Sequence, residues 1–536
     1  MRTATELTAR LVELSSLFEA NVHAGTLDHC IVLTEPSQLA GLCAEQQLLA
    51  TEAARLRNVE GYVLTLQPSR VAAALESVHD RSLRKAIYEA YFTRASDHGP
   101  RAGHFDNTPV LDEVLELRYQ LARLKGCQNY AELALQGGPI TSPDLAERYL
   151  LSAEPDLKAK AQAALDEIWA FAKQQGAPRG FASWDLWYYA SWLVAEKVGL
   201  SASREKQLFP LSSSVHGVLA FAERLFGVSF EPRSTARALC YGILAEDGSS
   251  LGELRLSLED GERTGGGRRV ALQEDPSHSP ASRVLDVHCG LVSALEGPKL
   301  LSFRAVGALF ETLGEGLARL LVCSKASEDR PPAKLIALVT AAVFRHCARH
   351  FEVLSPCTSD GGGGFDAEMH AQVLRRFDFA SALERSQSLE LALFDLRIHR
   401  DYVPTTKATQ LRAQVLDTFA QVRRERSVLP PSYWTRFANT ATEIFTAGRG
   451  ATLWQRTWAE KAAENLTGRL AAEGFSAPAR RWLREALRSA AAGADWAEVE
   501  TALELPGDAG AIGGRRGSGE SPTGYSPNTS VVSSSS

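Results

Sequence analysis

The sequence lacks the cysteine spacings that build disulfide frameworks and zinc knuckles. Its 536 residues include eight cysteines, and no two of them form a Cys-x-x-Cys pair. They are widely separated, at Cys30, Cys43, Cys127, Cys240, Cys289, Cys323, Cys347 and Cys357. Small secreted domains depend on dense, regularly spaced cysteines, whereas isolated thiols are typical of proteins in reducing compartments. We therefore expect reduced, mostly buried thiols and a cytoplasmic location.

The sequence also has no excess of basic charge and no long apolar run. The 58 lysines and arginines are scattered among 64 acidic residues, and the net charge is −6 at pH 7. Nucleic-acid-binding domains carry clustered positive charge, which is missing here. The longest apolar run, Leu335 to Phe344, is too short to cross a bilayer, and the charged N-terminus has no apolar segment of a signal peptide. We expect a soluble protein that binds neither nucleic acid nor membrane.

Helical periodicity dominates the chain. Over most of its length, apolar residues recur at three- and four-residue spacing, which is typical of amphipathic helices. The spacing changes to that of short strands in the middle of the chain. The pattern predicts one domain over residues 1–505, helical in 1–238 and 293–505, with a small sheet in 239–292. Residues 506–536 are rich in Gly, Ser and Pro, and this composition predicts a disordered tail.

Short segments spread over most of the chain carry a family resemblance. They read GYVLTL, TRASDHGP, FDNTP, NYAE, WDLWYY, LFP, LFDLRIH and TWAE, at residues 61–66, 93–100, 105–109, 129–132, 184–189, 208–210, 393–399 and 457–460. In order and spacing they resemble the thimet oligopeptidase and oligopeptidase A family of zinc metallopeptidases, from about Leu7 to about Leu487. The resemblance implies a mainly α, channel-bearing, zincin-like fold with a small β-sheet insertion near 239–292. It also implies one zinc ion that hydrolyses short peptides in the channel. The chain begins within the family's N-terminal helical region, so part of one channel wall is expected to be absent.

The resemblance places the family's zinc-binding helix where the reactive side chains are different. The family uses His-Glu-x-x-His, in which the Glu is the general base, plus a Glu from the next helix. Here Glu311 and Glu315 occupy the two His positions and Thr312 occupies the general-base position. The third-ligand position falls at Leu338, or at Thr340 if no gap is allowed. A leucine cannot bind zinc, and a threonine hydroxyl cannot accept the proton of bound water. We therefore expect no cofactor, although zinc is the family's metal.

The substrate side of the implied site is altered as well. The resemblance places a family His at Glu443 and family tyrosines at Arg449, Leu453 and Arg456, and these family residues hold substrate and stabilise the oxyanion. Glu443 accepts hydrogen bonds and would repel an oxyanion. Residues 264–269, which read TGGGRR, depart from the family's basic-Gly-Gly-aromatic pattern. Thus no catalytic residue is intact, and Arg449 and Arg456 are the candidate peptide-binding residues.

Two further patterns have both a chemical and a structural interpretation. Glu311 and Glu315 lie one helical turn apart and could bridge a hard cation, but an ion pair between Glu315 and Arg319 is the simpler interpretation. His346 and His350 have the spacing of a helical metal site. They lie about two turns, or roughly 12 Å, beyond the third-ligand position, and no carboxylate is placed as a base.

Two other features predict structure rather than chemistry. The glycines at residues 361–364 are not followed by Lys-Ser/Thr, so they are interpreted as a hinge or flexible channel edge rather than a phosphate loop. Trp184, Trp187, Tyr188 and Trp192 are spaced as one helix face, which predicts core packing.

Together these residues favour a catalytically inactive oligopeptidase-like protein, a pseudopeptidase that binds short peptides or a protein partner. One alternative is an active oligopeptidase-type metalloendopeptidase that cleaves short peptides with an atypical metal site, built from Glu311, Glu315 and His346. Another is a scaffold or decaying paralogue without a ligand. Carboxylate sites bind zinc weakly and the activating Glu is missing, so the sequence favours the inactive protein.

Overall fold

The structure is predominantly helical on both sides of a small sheet. The computed structural model describes residues 3–153, 155–178, 180–233, 239–260, 268–273, 283–293, 298–322, 331–359, 364–379, 381–405, 408–429, 434–475, 481, 483–485 and 489. The helices before the sheet are α1 (Ala4–Asp28), α2 (Ala44–Leu56), α3 (Pro68–Ser77), α4 (Arg81–Phe92), α5 (Thr108–Leu124), α6 (Tyr130–Ala134), α7 (Pro143–Ala153), α8 (Leu157–Gln174), α9 (Ser183–Val198), α10 (Ala202–Gln207) and α11 (Leu211–Phe226). Those after it are α12 (Phe303–Val322), α13 (Pro331–Cys347), α14 (Phe351–Leu354), α15 (Ala367–Asp378), α16 (Ser381–Arg400), α17 (Ala408–Arg426), α18 (Thr442–Phe445) and α19 (Trp454–Ala472). The predicted mainly α fold is confirmed.

The strands of the described residues form one five-stranded sheet and two short pairs. The strands are β1 (Cys30–Leu33), β2 (Tyr62–Thr65), β3 (Phe209–Pro210), β4 (Ser229–Pro232), β5 (Leu239–Leu244), β6 (Ser250–Asp260), β7 (Arg268–Gln273), β8 (Val284–Ser293) and β9 (Leu300–Leu301). The large sheet has the order β4-β5-β6-β8-β7, and its neighbours are antiparallel except for the parallel pair β6–β8. The predicted sheet near 239–292 is confirmed, and β4 precedes its predicted start. The antiparallel pairs β1–β2 and β3–β9 lie where helix was predicted, because such short strands have too little periodicity to be recognised.

The large sheet supports α12 through a close contact at a glycine. Leu285 and Val287 of β8 are buried in the core that also contains the apolar face of α12. A Cβ atom on Gly316 would lie 3.1 Å from both methyl groups of Leu285 and 3.4 Å from one of Val287. A larger residue would push the helix off the sheet. The sheet therefore sets the rotation of α12 about its axis.

The opposite contact of α12 is with α13. A Cβ atom on Gly314 would lie 2.7 Å from Cγ of Phe344, so the two helices approach closely here. Phe344 is fully buried, and its ring centroid lies 5.0 Å from that of Phe221 and 5.5 Å from that of Phe226, both on α11. These contacts fix α12 and α13 against each other.

The segment at residues 105–109, one of those that carry the resemblance, has a structural role. Asn107 is fully buried, and its Nδ2 donates to the carbonyl oxygens of Phe18 at 3.2 Å and Asn439 at 3.0 Å. Its Oδ1 accepts a hydrogen bond from Asn21 at 2.9 Å. One amide thus joins α1, the start of α5 and the chain shortly before α18.

The aromatic face of α9 is only partly buried. Trp192 is 42% exposed and stacks on Tyr189 with a centroid distance of 6.4 Å, so the prediction of core packing is wrong for this residue. Eight residues at 3.6 per turn place Trp192 about 80° around the helix from Trp184, at the edge of the stripe.

Among the described residues, no helix is both long and apolar enough to cross a membrane. The seven described cysteines are free thiols, and five of them are buried. Several predictions concern residues outside the described part of the chain: the segment 264–267, the glycines at 361–363, and the tail at 506–536.

Candidate functional site

A large cleft lies between α12, α13, α16 and α19. Its volume is about 720 Å³, within the range of about 300–1,000 Å³ that is typical of ligand sites. By comparison, the cavity between α5 and α17 holds only about 30 Å³. Phe303, Phe377 and Leu389 contribute apolar surface to the cleft, and most other lining residues are polar or charged.

Most charges that line the cleft are satisfied by ion pairs. The pairs are Arg304 with Glu384 at 2.6 Å, Arg349 with Asp378 at 2.7 Å, Lys461 with Glu464 at 3.0 Å, and Arg385 with Glu464 at 3.7 Å. The ring of Phe377 lies close to two of these cations, with its centroid 5.4 Å from Cζ of Arg304 and 5.5 Å from that of Arg349. The net charge of the cleft wall is thus close to zero, and ion pairs between its side chains stabilise it.

Glu311, at the first of the positions that the resemblance assigns to zinc, faces the cleft beside a cation. Its Oε2 lies 3.9 Å from Nε of Arg345 on α13. Arg345 also pairs with Glu460 of α19, whose Oε2 accepts a hydrogen bond from Nε2 of His346 at 2.9 Å. Burial alone would raise the pKa of Glu460, but the hydrogen bond from His346 and the charge of Arg345 outweigh it and lower that pKa. These four side chains join α12, α13 and α19 along one wall.

Thr312, at the position that the resemblance assigns to the general base, is not part of the cleft lining. It is 2% exposed, and its hydroxyl donates to the carbonyl oxygen of Ala308 at 2.6 Å. The hydroxyl oxygen of Thr312 also lies 3.8 Å from Sγ of Cys289 on β8. Thr312 therefore packs between its own helix and the sheet.

The other two positions that the resemblance assigns to zinc also lie outside the lining. Glu315 accepts a hydrogen bond from Arg319 at 2.6 Å, which is the ion pair that the spacing suggested. Leu338 is partly buried against the core. The whole sequence contains no His-Glu dipeptide, so no His-Glu-x-x-His occurs elsewhere.

These residues do not fit a zinc ion. A zinc site needs three donor side chains that converge on one point. Glu311 lies beside a guanidinium, Glu315 has its own partner outside the cleft, and Leu338 has no donor atom. In the described part of the chain, no three His, Cys, Asp or Glu side chains are grouped so that they could hold a metal.

His346 and His350 do not share a helix face. α13 ends at Cys347, and His350 is the residue before α14. The ring of His350 lies edge-on to Phe475 with a centroid distance of 5.4 Å, and burial lowers its pKa. Sequence spacing suggested a shared face because it assumes a continuous helix.

A Gly-x-Ser-x-Gly spacing occurs at residues 248–252 but has no catalytic geometry. In serine hydrolases this motif forms a sharp turn between a strand and a helix. Here it joins the antiparallel strands β5 and β6, and Ser250 pairs with Leu244 in the sheet. This serine therefore supports no serine hydrolase chemistry.

The start of α19 is held by a buried carboxylate. Asp395 of α16 is 1% exposed and accepts hydrogen bonds from the backbone N–H groups of Ala451, Thr452 and Leu453, at 2.8, 2.9 and 3.0 Å. Ala451 has a positive φ of 55°, a conformation that this carboxylate supports. Because Leu453 belongs to the lining, Asp395 positions part of the cleft wall.

A second buried group ties α16 to the same segment. Nη1 of Arg118 on α5 lies 2.7 Å from Nε2 of His399, and Arg118 also donates to the carbonyl oxygens of Ile444 and Thr446 at 2.8 and 2.7 Å. Since arginine is always a donor, Nε2 must accept and Nδ1 carries the proton, which it donates to the main-chain oxygen of Asp395 at 2.7 Å. Burial lowers the pKa of His399, and the charge of Arg118 lowers it further. The imidazole is therefore neutral.

Three of the four substrate-side positions line the cleft. Glu443, Leu453 and Arg456 are part of the lining, whereas Arg449 is exposed and lies outside it. Sequence reasoning missed the cleft roles of Arg345 and Glu460. Glu460 lies in the segment 457–460, so the resemblance marked its position without indicating its partners.

Comparison with known proteins agrees with this architecture. The chain is similar to Oligopeptidase A of Salmonella typhimurium, with 26% identity over 493 residues that cover 88% of this chain and 71% of that protein. Its fold is similar to PZ peptidase A solved with an inhibitor, with a TM-score of 0.55 and 12% identity over 96% of this chain and 79% of that one. A structure described as an oligoendopeptidase F gives a TM-score of 0.56 and 12% identity over 95% of this chain and 75% of the other. The model of Peptidase family M3 matches residues 74–489. The chain therefore belongs to Peptidase family M3.

Proposed function

We propose that this protein is a catalytically inactive member of its family that binds short peptides in the cleft. The observation that carries the proposal is the position of Thr312. Its hydroxyl is buried and donates to Ala308 within the same helix, so the position of the general base offers no proton acceptor to the cleft. A hydroxyl also has too high a pKa to take a proton from water near neutral pH.

The neighbouring charges support the same proposal. A cation at the zinc position would be repelled by the guanidinium of Arg345, which lies 3.9 Å from Glu311. Glu443, at a position where the family stabilises developing negative charge, places a carboxylate in the lining. Both changes oppose hydrolysis and leave the cleft open to a bound ligand.

Peptides are the ligand class that the relatives indicate. The names of the similar proteins, Oligopeptidase A and PZ peptidase A, describe enzymes that act on peptides. The cleft combines apolar side chains with many hydrogen-bonding groups, which suits a ligand with an amide backbone. Free, widely spaced thiols are consistent with a cytoplasmic peptide-binding protein.

The test uses the full chain and a mixture of short synthetic peptides. After incubation, the complex is isolated by gel filtration, and retained and newly formed peptides are identified by mass spectrometry. We expect intact peptides to be retained and no fragments to appear, with or without added zinc or chelator.

Reproducible fragments that disappear with chelator would overturn the proposal. If they also disappear in Glu311→Ala, the active alternative with an atypical metal site would be supported. The matched control is Glu368→Ala, because Glu368 is an exposed glutamate of α15 outside the lining. An empty cleft without fragments would favour the scaffold alternative.

A further inference from the structure

Two charged side chains of the cleft differ from the others. In the described part of the chain, Arg456 and Glu443 have no side-chain hydrogen bond or ion pair, whereas each remaining charged residue of the lining has one. Arg456 is exposed and Glu443 is half-buried. Among its described lining residues, the cleft therefore offers one unpaired cation and one unpaired carboxylate to a ligand.

The position of Arg456 in its helix makes a purely structural role unfavourable. It is the third residue of α19, where the positive end of the helix dipole disfavours a cation. Asp395 already accepts hydrogen bonds from the backbone N–H groups just before this helix. Local helix energetics thus give no reason for an arginine here, whereas a ligand carboxylate would pair with the guanidinium and also be favoured by the dipole.

We propose that the cleft recognises short peptides by their free ends, with the α-carboxylate on Arg456 and the α-ammonium on Glu443. This inference rests on the proposed peptide-binding function. The planar guanidinium can donate two parallel hydrogen bonds to a carboxylate, and a glutamate accepts hydrogen bonds from an ammonium. Each other cation among the described lining residues keeps its own carboxylate partner, so of these residues Arg456 is the one available to the ligand. The ligand class is therefore a zwitterionic short peptide rather than an internal stretch of a longer chain.

The test measures retention of one randomised short-peptide library prepared with free ends, with an amidated C-terminus, or with an acetylated N-terminus. On the unmodified protein, each blocked form should bind about 10- to 100-fold more weakly, as expected for loss of a hydrogen bond between charged groups. Arg456→Gln should weaken binding of the free peptides by the same factor and remove the preference for a free carboxylate. Glu443→Gln should remove the preference for a free ammonium.

Arg204→Gln is the matched control. Arg204 is also exposed, is the third residue of α10, and lies outside the cleft lining. This variant should keep both preferences. Circular dichroism should confirm that every variant is folded.

Equal binding of free and blocked peptides by the unmodified protein would overturn end recognition while leaving peptide binding intact. A preference for free carboxylates that persists in Arg456→Gln would overturn the assignment to this residue. If no peptide form is retained, the proposed function itself fails, and end recognition fails with it.

Discussion

Replacement of Asp395 by asparagine tests whether one buried carboxylate holds the cleft wall in place. The carboxylate accepts hydrogen bonds from three backbone N–H groups, and asparagine keeps only one of its two oxygens. If the amide NH2 replaces Oδ1, it would face the N–H group of Ala451 and also Nδ1 of His399, which lies 3.2 Å from Oδ1. Loss of a buried hydrogen bond to a charged acceptor costs about 1.5–3 kcal/mol, and weakening of the other two adds about 1 kcal/mol. We expect Asp395→Asn to lower the free energy of unfolding by about 2.5–4 kcal/mol.

The assay is urea unfolding followed by far-ultraviolet circular dichroism and by tryptophan fluorescence, to which the buried Trp454 at the start of α19 contributes together with the other eight tryptophans. Asp401→Asn is the control, since Asp401 is exposed and, among the described residues, its side chain pairs only with the neighbouring Arg400. Such surface changes stay within about 0.5 kcal/mol. If the two variants unfold at the same urea concentration, the carboxylate does not stabilise residues 451–453 at the start of α19, and this reasoning is refuted. Asp395→Asn should also weaken peptide retention under native conditions. Asp395 holds the backbone of Leu453, and both Leu453 and the nearby Arg456 line the cleft.

Three further predictions concern packing, pH and metal. Gly314→Ala should destabilise the protein by about 1–3 kcal/mol, because the new methyl group would lie 2.7 Å from Cγ of Phe344. Gly468→Ala should stabilise the protein by about 0.4–1 kcal/mol, because Gly468 in α19 has open space around it. Thermal unfolding of the two variants measures this difference. Burial raises the pKa of Asp112 from 3.8 to about 6, so the folded state binds this proton more tightly and stability falls as pH rises through that window. In thermal unfolding at pH values above 6, Asp112→Asn should therefore have a higher midpoint temperature than the unmodified protein, and at pH values below 3.8 the two midpoints should be equal. An equal effect of the substitution in both pH ranges would contradict this assignment. Zinc or a chelator should leave the unfolding midpoint unchanged, because a metal at 100 times its dissociation constant would stabilise the native state by about 2.7 kcal/mol and be readily seen.

Local periodicity was sufficient to predict most of the fold. Helical spacing and the change to strand spacing in the middle of the chain depend on neighbouring residues, so they can be read from the sequence. The β1–β2 and β3–β9 pairs were missed because each strand is short and its partner is distant in sequence. The prediction that Trp192 packs in the core was wrong, because the spacing of aromatic residues along a helix does not show how much of that helix face is buried.

For the candidate site, the sequence by itself determined which side chains stand at the positions that the resemblance marks, including Glu311, Thr312 and Arg456. Only the tertiary structure decided what each of them contacts. Arg449 and Arg456 are both arginines at positions that the resemblance assigns to family tyrosines, yet of these two only Arg456 lines the cleft. The direction of each side chain depends on the rotation of its helix, and that rotation is set by contacts between residues far apart in the chain, such as Gly316 on Leu285 and Gly314 on Phe344.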